Sequence, residues 1–333
     1  LVDRVMGEAS LYAPRMAALA LAQTGGDTYE AVMLLRAYRS TQPRIAYAQP
    51  VRPGDMLVVR RISAAFKDIP GGQVLGPTLD YSHRLLRTEV LDGEAADFGE
   101  PEAAGEAAAE ALPAVADWQR QQGQLDPLPE HGDLDPADLP DLTRAPLLMP
   151  PPRAQRLQAL ARAETGGILA LGYANMRGYG AIHPTVNELR LAWAEVRLVH
   201  PVTGVPFSIG RVRVSQAEVV STEMRDGQQK LKLGFAATLG WNEVKNIAGS
   251  MLDMAMDLPK PHPAHEEEFV LYHTEVVESS GFCIHFKLPH YVTFSSAVEA
   301  LRSAAIAMGW IKPDAGNGTR TRDTGREQPA EKG

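Results

Sequence analysis

The stretch Leu189-Arg-Leu-Ala-Trp-Ala-Glu-Val-Arg-Leu-Val199 decides how the centre of this chain is read. Apolar and polar residues alternate along part of it, the two-residue period of a strand with one buried face. The same partial alternation recurs over Phe207–Ser215 and Lys230–Ala237. Thr203-Gly204 and Asp226-Gly227 fall between these stretches, and both pairs are of the kind that turns a chain sharply. Three strands joined by short turns predict a mainly antiparallel sheet.

Helical patterns flank the strands. A helix is predicted over Arg153–Ala163. Asn242 is a cap residue for another, reaching about Met256, with Val244, Ile247, Ala248, Met251 and Leu252 as its apolar stripe. Residues 1–24 read as one helix stopped by Gly25-Gly26, and Asp27-Thr-Tyr-Glu30 reads as a capping box opening a second to about Arg39. Arg36 and Arg39 fall in its last turn, where cations complement the helix dipole. Ser296-Ala-Val-Glu299 is a second capping box, opening a last helix that Gly309 ends. Helices, then strands, then helices predict an α+β fold: a helical N-terminal part, central mainly antiparallel strands and C-terminal helices. The expected division is 1–91, a helical part with a Gly-rich ligand loop at 60–86; 92–152, an acidic insert; 153–312, an α+β part; and a disordered tail at 313–333.

The net charge of −8 hides an asymmetry. Residues 92–142 hold 14 acidic and one basic residue, which leaves 32 basic and 27 acidic elsewhere. This Ala-, Pro- and acid-rich segment, with a helical part around Ala103–Ala111, is expected to bury too little apolar surface to offset its ordering entropy. The mild basicity of the remainder suits an anionic small ligand and does not point to nucleic acid. No apolar run is long enough for a membrane span, and the first residues are not a signal peptide. Cys283 is the only cysteine, which favours a reducing cytoplasm and excludes an iron–sulfur cluster held by this chain alone. The chain opens with Leu and reads as starting inside a helix, so a preceding segment is expected.

The run Lys67-Asp-Ile-Pro-Gly-Gly-Gln-Val-Leu-Gly-Pro-Thr-Leu-Asp-Tyr-Ser-His-Arg-Leu-Leu86 is dense in backbone-bending and charged residues. It reads either as a surface loop with a helix starting near Asp80 or as a ligand loop. In the second case the Gly71-Gly72 backbone faces phosphate oxygens, and Arg60, Arg61, Lys67 and Arg84 neutralise a polyphosphate. Asp68 or Asp80 then holds Mg²⁺. No G-x-x-x-x-G-K-[ST] occurs, so the loop is not an ordinary P-loop. Arg177-Gly-Tyr-Gly180 with His183 is a second Gly-turn, in which Tyr179 either stacks on a purine or simply leads into the sheet. Glu188 and Arg190 read as a strand's polar face.

His285 and His290 flank Lys287-Leu288-Pro289. They converge on a metal only if the chain turns between them, and Zn²⁺ needs three or four ligands. Otherwise they are two unrelated histidines. His262 and His265, before Glu266-Glu-Glu268, read as a solvated linker or a metal cluster. His273 reads as a core or interface histidine.

The 67–86 run resembles the PhnI family. So do Leu34-Leu-Arg-Ala-Tyr-Arg39, Arg60-Arg-Ile-Ser-Ala-Ala-Phe66, Arg177-Gly-Tyr-Gly-Ala-Ile-His-Pro184, Glu267-Glu-Phe-Val-Leu271 and His285-Phe-Lys-Leu-Pro-His-Tyr-Val292. The resemblance runs from Leu1 to about Trp310 and weakens between Leu91 and Leu148. It implies a subunit of the bacterial carbon–phosphorus lyase system for phosphonate breakdown. The implied reaction is ribosyl transfer: methylphosphonate displaces adenine from MgATP to give ribose 1-methylphosphonate 5-triphosphate, with nucleosidase activity when the subunit is alone. The implied partners are PhnG, PhnH, PhnJ, PhnK and PhnL, with self-association inside the complex. The implied zinc ion sits on His285 and His290 at the contact with the radical-enzyme subunit. By residue chemistry alone, Asp68 or Asp80 serves Mg²⁺ or C1′, and His83 or His183 is the acid or the phosphonate contact. A different class of function also fits: a non-catalytic scaffold docking the radical subunit through the zinc loop. A metal-dependent hydrolase using His262, His265, His285 and His290 fits less well, because no compact metal motif is present.

Overall fold

The computed structural model describes residues 1–72, 86, 88–93, 112–128, 135–174, 184–225, 227–286 and 291–313. They fall into two compact units, Leu1–Ser280 and Gly281–Gly333.

The first unit opens with three helices, α1 (Val2–Ala9), α2 (Pro14–Gln23) and α3 (Thr28–Ser40). The single helix expected over 1–24 is therefore two. Ser10 takes a left-handed backbone with φ 54° and ends α1, and Pro14 starts α2 in the first turn, where its missing N–H costs nothing. Asp27 caps α3 as the sequence predicts, accepting from Tyr29 N at 2.9 Å and Glu30 N at 3.1 Å. Val5, Met6, Ala9, Ala17, Ala31, Val32 and Leu35 close a small core between the three helices. Arg36 is not a dipole complement. Its guanidinium crosses to Glu8 O at 2.9 Å and Glu275 Oε1 at 2.6 Å.

The sheet has four strands in the order β1 (Leu57–Ile62), β2 (Thr185–Val199), β3 (Pro206–Arg225), β4 (Gln228–Leu239), all antiparallel. Both predicted hairpins are present, with Gly204 and Gly227 at φ 69° and 75° in the turns. β3 runs on past Ser215, where buried Gln216 and Glu218 interrupt the apolar alternation. β1 is an edge strand within the stretch that leads into the Gly-rich loop.

One face of the sheet packs on α7 (Glu243–Met256). Gly234 on β4 permits the close approach: a Cβ there would lie 2.0 Å from Ser250 O. Behind α7, a second core joins Ala248 and Leu252 to Leu160 of α5 (Arg153–Arg162), Ile168 of α6 (Thr165–Ala174) and Val270 of α8 (Glu267–His273). The stripe predicted for α7 is only partly its buried face. Val244 is exposed, whereas Lys245, Asn246, Ser250 and Asp253 are buried. The Asn242 side chain does not cap α7 but donates to Asp3 O and Leu239 O at 3.1 and 3.0 Å.

The 92–152 segment buries more than its composition predicts. A short helix α4 (Val115–Gln121) packs on β2, with Ala114, Val115, Ala116 and Leu125 buried. The helix expected around Ala103–Ala111 lies outside the described residues. After α8 come α9 (Val277–Phe286) and α10 (Tyr291–Ala307). α10 starts before Ser296, so the second capping box is interior sequence and not a start. Gly309, φ 73°, ends it, with Trp310 N donating to Ala305 O at 2.9 Å. Among the described residues, no helix is long and apolar enough to cross a membrane.

Candidate functional site

Pairing of β1 with β2 sets Arg61 directly opposite Arg190. Two guanidinium groups in register repel each other. Glu188, two residues before Arg190 and so on the same face of β2, resolves the conflict. Its Oε1 accepts from Arg61 Nε at 2.9 Å and Arg190 Nε at 2.7 Å, and its Oε2 from Arg61 Nη2 at 3.1 Å. All three side chains are at most 2% exposed. Two cations on one carboxylate leave a surplus of positive charge, and main-chain oxygens meet it. Arg61 donates to Pro70 O at 2.6 Å and Pro113 O at 2.7 Å. Arg190 donates to Leu112 O at 3.0 Å and to Pro53 O. Glu188 Oε2 also accepts from Val115 N at 2.8 Å, at the start of α4.

The cluster thus holds together three pieces of chain that are distant in sequence: the approach to β1, the start of the Gly-rich run and residues 112–115. The same neck explains Gly71. Its φ is 66°, and a Cβ there would lie 2.5 Å from Leu112 Cδ1. Gly72 N closes the turn on Ile69 O at 2.8 Å.

A bulge between Val186 and Glu188 takes Asn187 out of the ladder. Its amide exchanges two 2.9 Å hydrogen bonds with Gln119 of α4 and donates to Glu218 Oε2 at 3.4 Å. Glu218 lies directly opposite Glu188. Burial, and then the Glu188 charge, push the Glu218 carboxyl up to about 7, against the pull of Asn187 and Arg120. Gln119 also lines an open cleft of about 720 Å³ beside this cluster.

A second buried ionic cluster lies where α1 and α3 meet α5 and α6. Glu8 Oε1 accepts from Arg4 Nε at 2.9 Å, Thr165 N at 3.1 Å and Thr165 Oγ1 at 2.7 Å. Glu164 accepts from Arg4 and from Gly167 N, both at 2.5 Å. Lys245 of α7 donates to Ala161 O at 2.6 Å, and burial lowers its ammonium to about 8 against the pull of Glu8.

Of the residues the sequence singles out, Arg60 is ion-paired with Glu243 at the start of α7. Arg61 is buried in the neck, so the expectation that it faces a triphosphate gives way to a role in holding the loop. Lys67 and Asp68 are exposed on the turn after β1. Gly72 spends its N–H inside the turn and does not offer it to a phosphate. Asp80, His83, Arg84, Tyr179, His183 and His290 lie outside the described residues. His285 belongs to α9. His265 is buried with Nε2 3.1 Å from Leu171 O, and burial lowers its pKa. The solvated-linker reading therefore fails for it. His273 is exposed and stacks on Phe269 at 3.9 Å between centroids. Among the described residues, no group of three or more His, Cys, Asp and Glu could hold a metal ion. The sequence reading missed the weight of Glu188 and Arg190. Their only signal is opposite charges at i and i+2 on a strand, where they face the same side.

The fold and neck define a mixed α+β chain whose Gly-rich segment is anchored by a buried Arg–Glu–Arg cluster. A family model for the bacterial phosphonate metabolism protein PhnI matches residues 1–307, and the chain belongs to this family. It is 45% identical to the HtxH protein of Stutzerimonas stutzeri over 317 residues, 91% of this chain and 84% of that one. It is 40% identical to alpha-D-ribose 1-methylphosphonate 5-triphosphate synthase subunit PhnI of Rhizobium meliloti, over 90% of this chain and 82% of that protein. The protein of the same name from Escherichia coli is 38% identical, over 90% and 85%.

Proposed function

We propose that this chain is a subunit of an alpha-D-ribose 1-methylphosphonate 5-triphosphate synthase acting in phosphonate metabolism. The observation that supports this reading is the family match over residues 1–307, together with two relatives that bear that name at 40% and 38% identity. In the reaction, a phosphonate oxygen forms a bond to C1′ of MgATP. The glycosidic C–N bond breaks, and adenine leaves with the electron pair and takes up a proton. Water in place of the phosphonate gives the nucleosidase reaction of the subunit alone. Positive character builds on the ribose, so the site needs negative charge near C1′ and a proton donor at the base. Two bound reactants need no further encounter, which is worth about 7–11 kcal/mol.

The exposed Lys67 is assigned to the triphosphate and Asp68 to its Mg²⁺. Arg61 is a positioning residue in this reading, because its donors hold the neck. Asp80, His83, Arg84, Tyr179 and His183 keep the roles their chemistry suggests: Asp80 at Mg²⁺ or C1′, the histidines as acid or phosphonate contact, Arg84 on phosphate and Tyr179 on the purine. Zn²⁺ on His285 and His290 requires further ligands from a partner, substrate or water. PhnG, PhnH, PhnJ, PhnK and PhnL are the proposed partners, with a second copy of this chain. The test is adenine release from MgATP by the assembled subunits, with and without methylphosphonate. A methylphosphonate-linked ribose triphosphate is expected, and an intact assembly that releases no adenine overturns the reading.

One observation favours a scaffold instead. α10 exposes Val298 and Leu301, at 65% and 69%, along a helix with few charges. A purified chain that binds no MgATP but assembles, and loses assembly on Leu301→Glu, would support the scaffold; a chain that binds MgATP would remove it.

A further inference from the structure

The cleft beside the neck has a composition that does not match a phosphate site. Its lining includes the ring of Phe66, the hydroxyls of Ser221 and Thr222 and the amides of Gln124 and Gln229. Lys230 is its one cation among the described residues, and Asp126 Oδ1 accepts from it at 2.8 Å. A polyphosphate would meet no unopposed positive charge there. A flat uncharged ligand would meet an aromatic surface and several donors and acceptors. Among the described residues, the side-chain amides of Gln124 and Gln229 make no hydrogen bond, so they are free to pair with a ligand edge.

The walls are also fixed to one another. Ala64 N and Ala65 N both donate to Val186 O, at 3.0 and 3.2 Å. Leu231 N donates to Gln124 O at 2.9 Å, joining β4 to the residues after α4. Phe66 stands edge-on to Trp118, with centroids 5.6 Å apart and planes at 89°. A cleft built this way binds without the cost of ordering its walls. Its floor is Gln119, hydrogen-bonded through Asn187 to Glu218, so the cleft is in contact with the cluster that holds the Gly-rich run.

We propose that this cleft takes the uncharged end of the nucleotide, a heterocyclic base with its sugar, while the phosphates lie outside it. The base identity rests on the reading under Proposed function. Phe66 supplies the stacking surface, and Gln124 and Gln229 supply the paired donor and acceptor that a base edge requires.

The test uses the full chain in its assembly, with adenosine and inorganic tripolyphosphate as separate probes in equilibrium dialysis. Gln229→Ala and Phe66→Leu should each weaken adenosine binding about five- to tenfold, the loss expected of one hydrogen bond or one stacking contact. Tripolyphosphate binding should not change. Equal adenosine affinity in the wild type and both variants overturns the cleft assignment, as does a wild type that binds no adenosine. Turnover separates the two claims. Phosphonate-dependent adenine release with unaltered KM for ATP in both variants removes the cleft and leaves the function. Adenosine binding that the variants weaken, in an assembly that releases no adenine, removes the function and leaves the cleft.

Discussion

The cluster around Glu188 and the cluster around Glu8 both bury glutamates against basic side chains, yet they hold different things. At Glu188 the arginines spend their remaining donors on carbonyls of Pro53, Pro70, Leu112 and Pro113, all in connecting chain. At Glu8 the acceptors are used by Arg4 and by Thr165, on helices. The first cluster ties connecting segments at Pro53, Pro70 and 112–113 to one another, and the second docks α1 on α6. Identical residue types thus serve placement of a segment in one region and packing of a scaffold in the other. The distinction lies in what the spare hydrogen-bonding capacity touches.

That contrast can be broken by mutation. Glu188→Ala leaves Arg61 and Arg190 buried and facing each other, and should cost about 3–5 kcal/mol in urea unfolding. Its adenine release, normalised to folded protein, should fall as well; a loss under 1 kcal/mol with full turnover would dissolve the neck. Glu218 gives the first cluster a pH dependence. Its folded pKa, about 7, lies above the ordinary 4.5, so the folded chain keeps a proton that the unfolded chain releases. That contribution is complete below about pH 4.5 and is lost as pH rises through 7, on the order of 3 kcal/mol in all. Glu218→Gln should flatten the stability profile between pH 5 and 8, and an unchanged slope would show that Glu218 does not carry the proton.

Glu8→Ala should cost about 2 kcal/mol, the value of hydrogen bonds to a charged group, with turnover per folded molecule retained. A drop in turnover larger than the loss of folded protein would erase the difference between the clusters. Gly71→Ala forces a side chain into a left-handed backbone against Leu112, at about 1–2 kcal/mol. Here KM for ATP should rise severalfold, while the midpoint of thermal unfolding falls by only about 2–4 °C for each kcal/mol lost. Equal thermal and kinetic wild-type behaviour would mean the turn at Gly71 tolerates a Cβ.

The hairpins were legible because their signals are local. Gly204 and Gly227 mark turns whatever surrounds them, and Asp27 caps α3 with its own side chain. The expected single helix over 1–24 is two because Ser10 turns left-handed, which Ser does not announce, although Pro14 is a signal within the sequence that a helix cannot run through unbroken. α6 was missed because its sequence is apolar with three glycines and has no helical stripe. The polar interior was illegible for a different reason. Alternation shows that Glu188 and Arg190 share a face of β2, but not whether water or a counter-charge covers it. The same holds for Lys245 and Asp253 on α7, where charge in the sequence reads as solvent and the structure gives it partners.

Neighbouring residues and motifs in line are enough for the α+β class, the antiparallel strands β2, β3 and β4, their turns and the family, whereas α4, α6 and the edge strand β1 leave no such pattern. That Arg61 belongs to the interior follows only from the assembled fold. Its burial depends on Glu188 on another strand and on the carbonyls of Pro70 and Pro113. Three separate stretches must meet before the charge of Arg61 is worth burying, and no local pattern encodes that meeting.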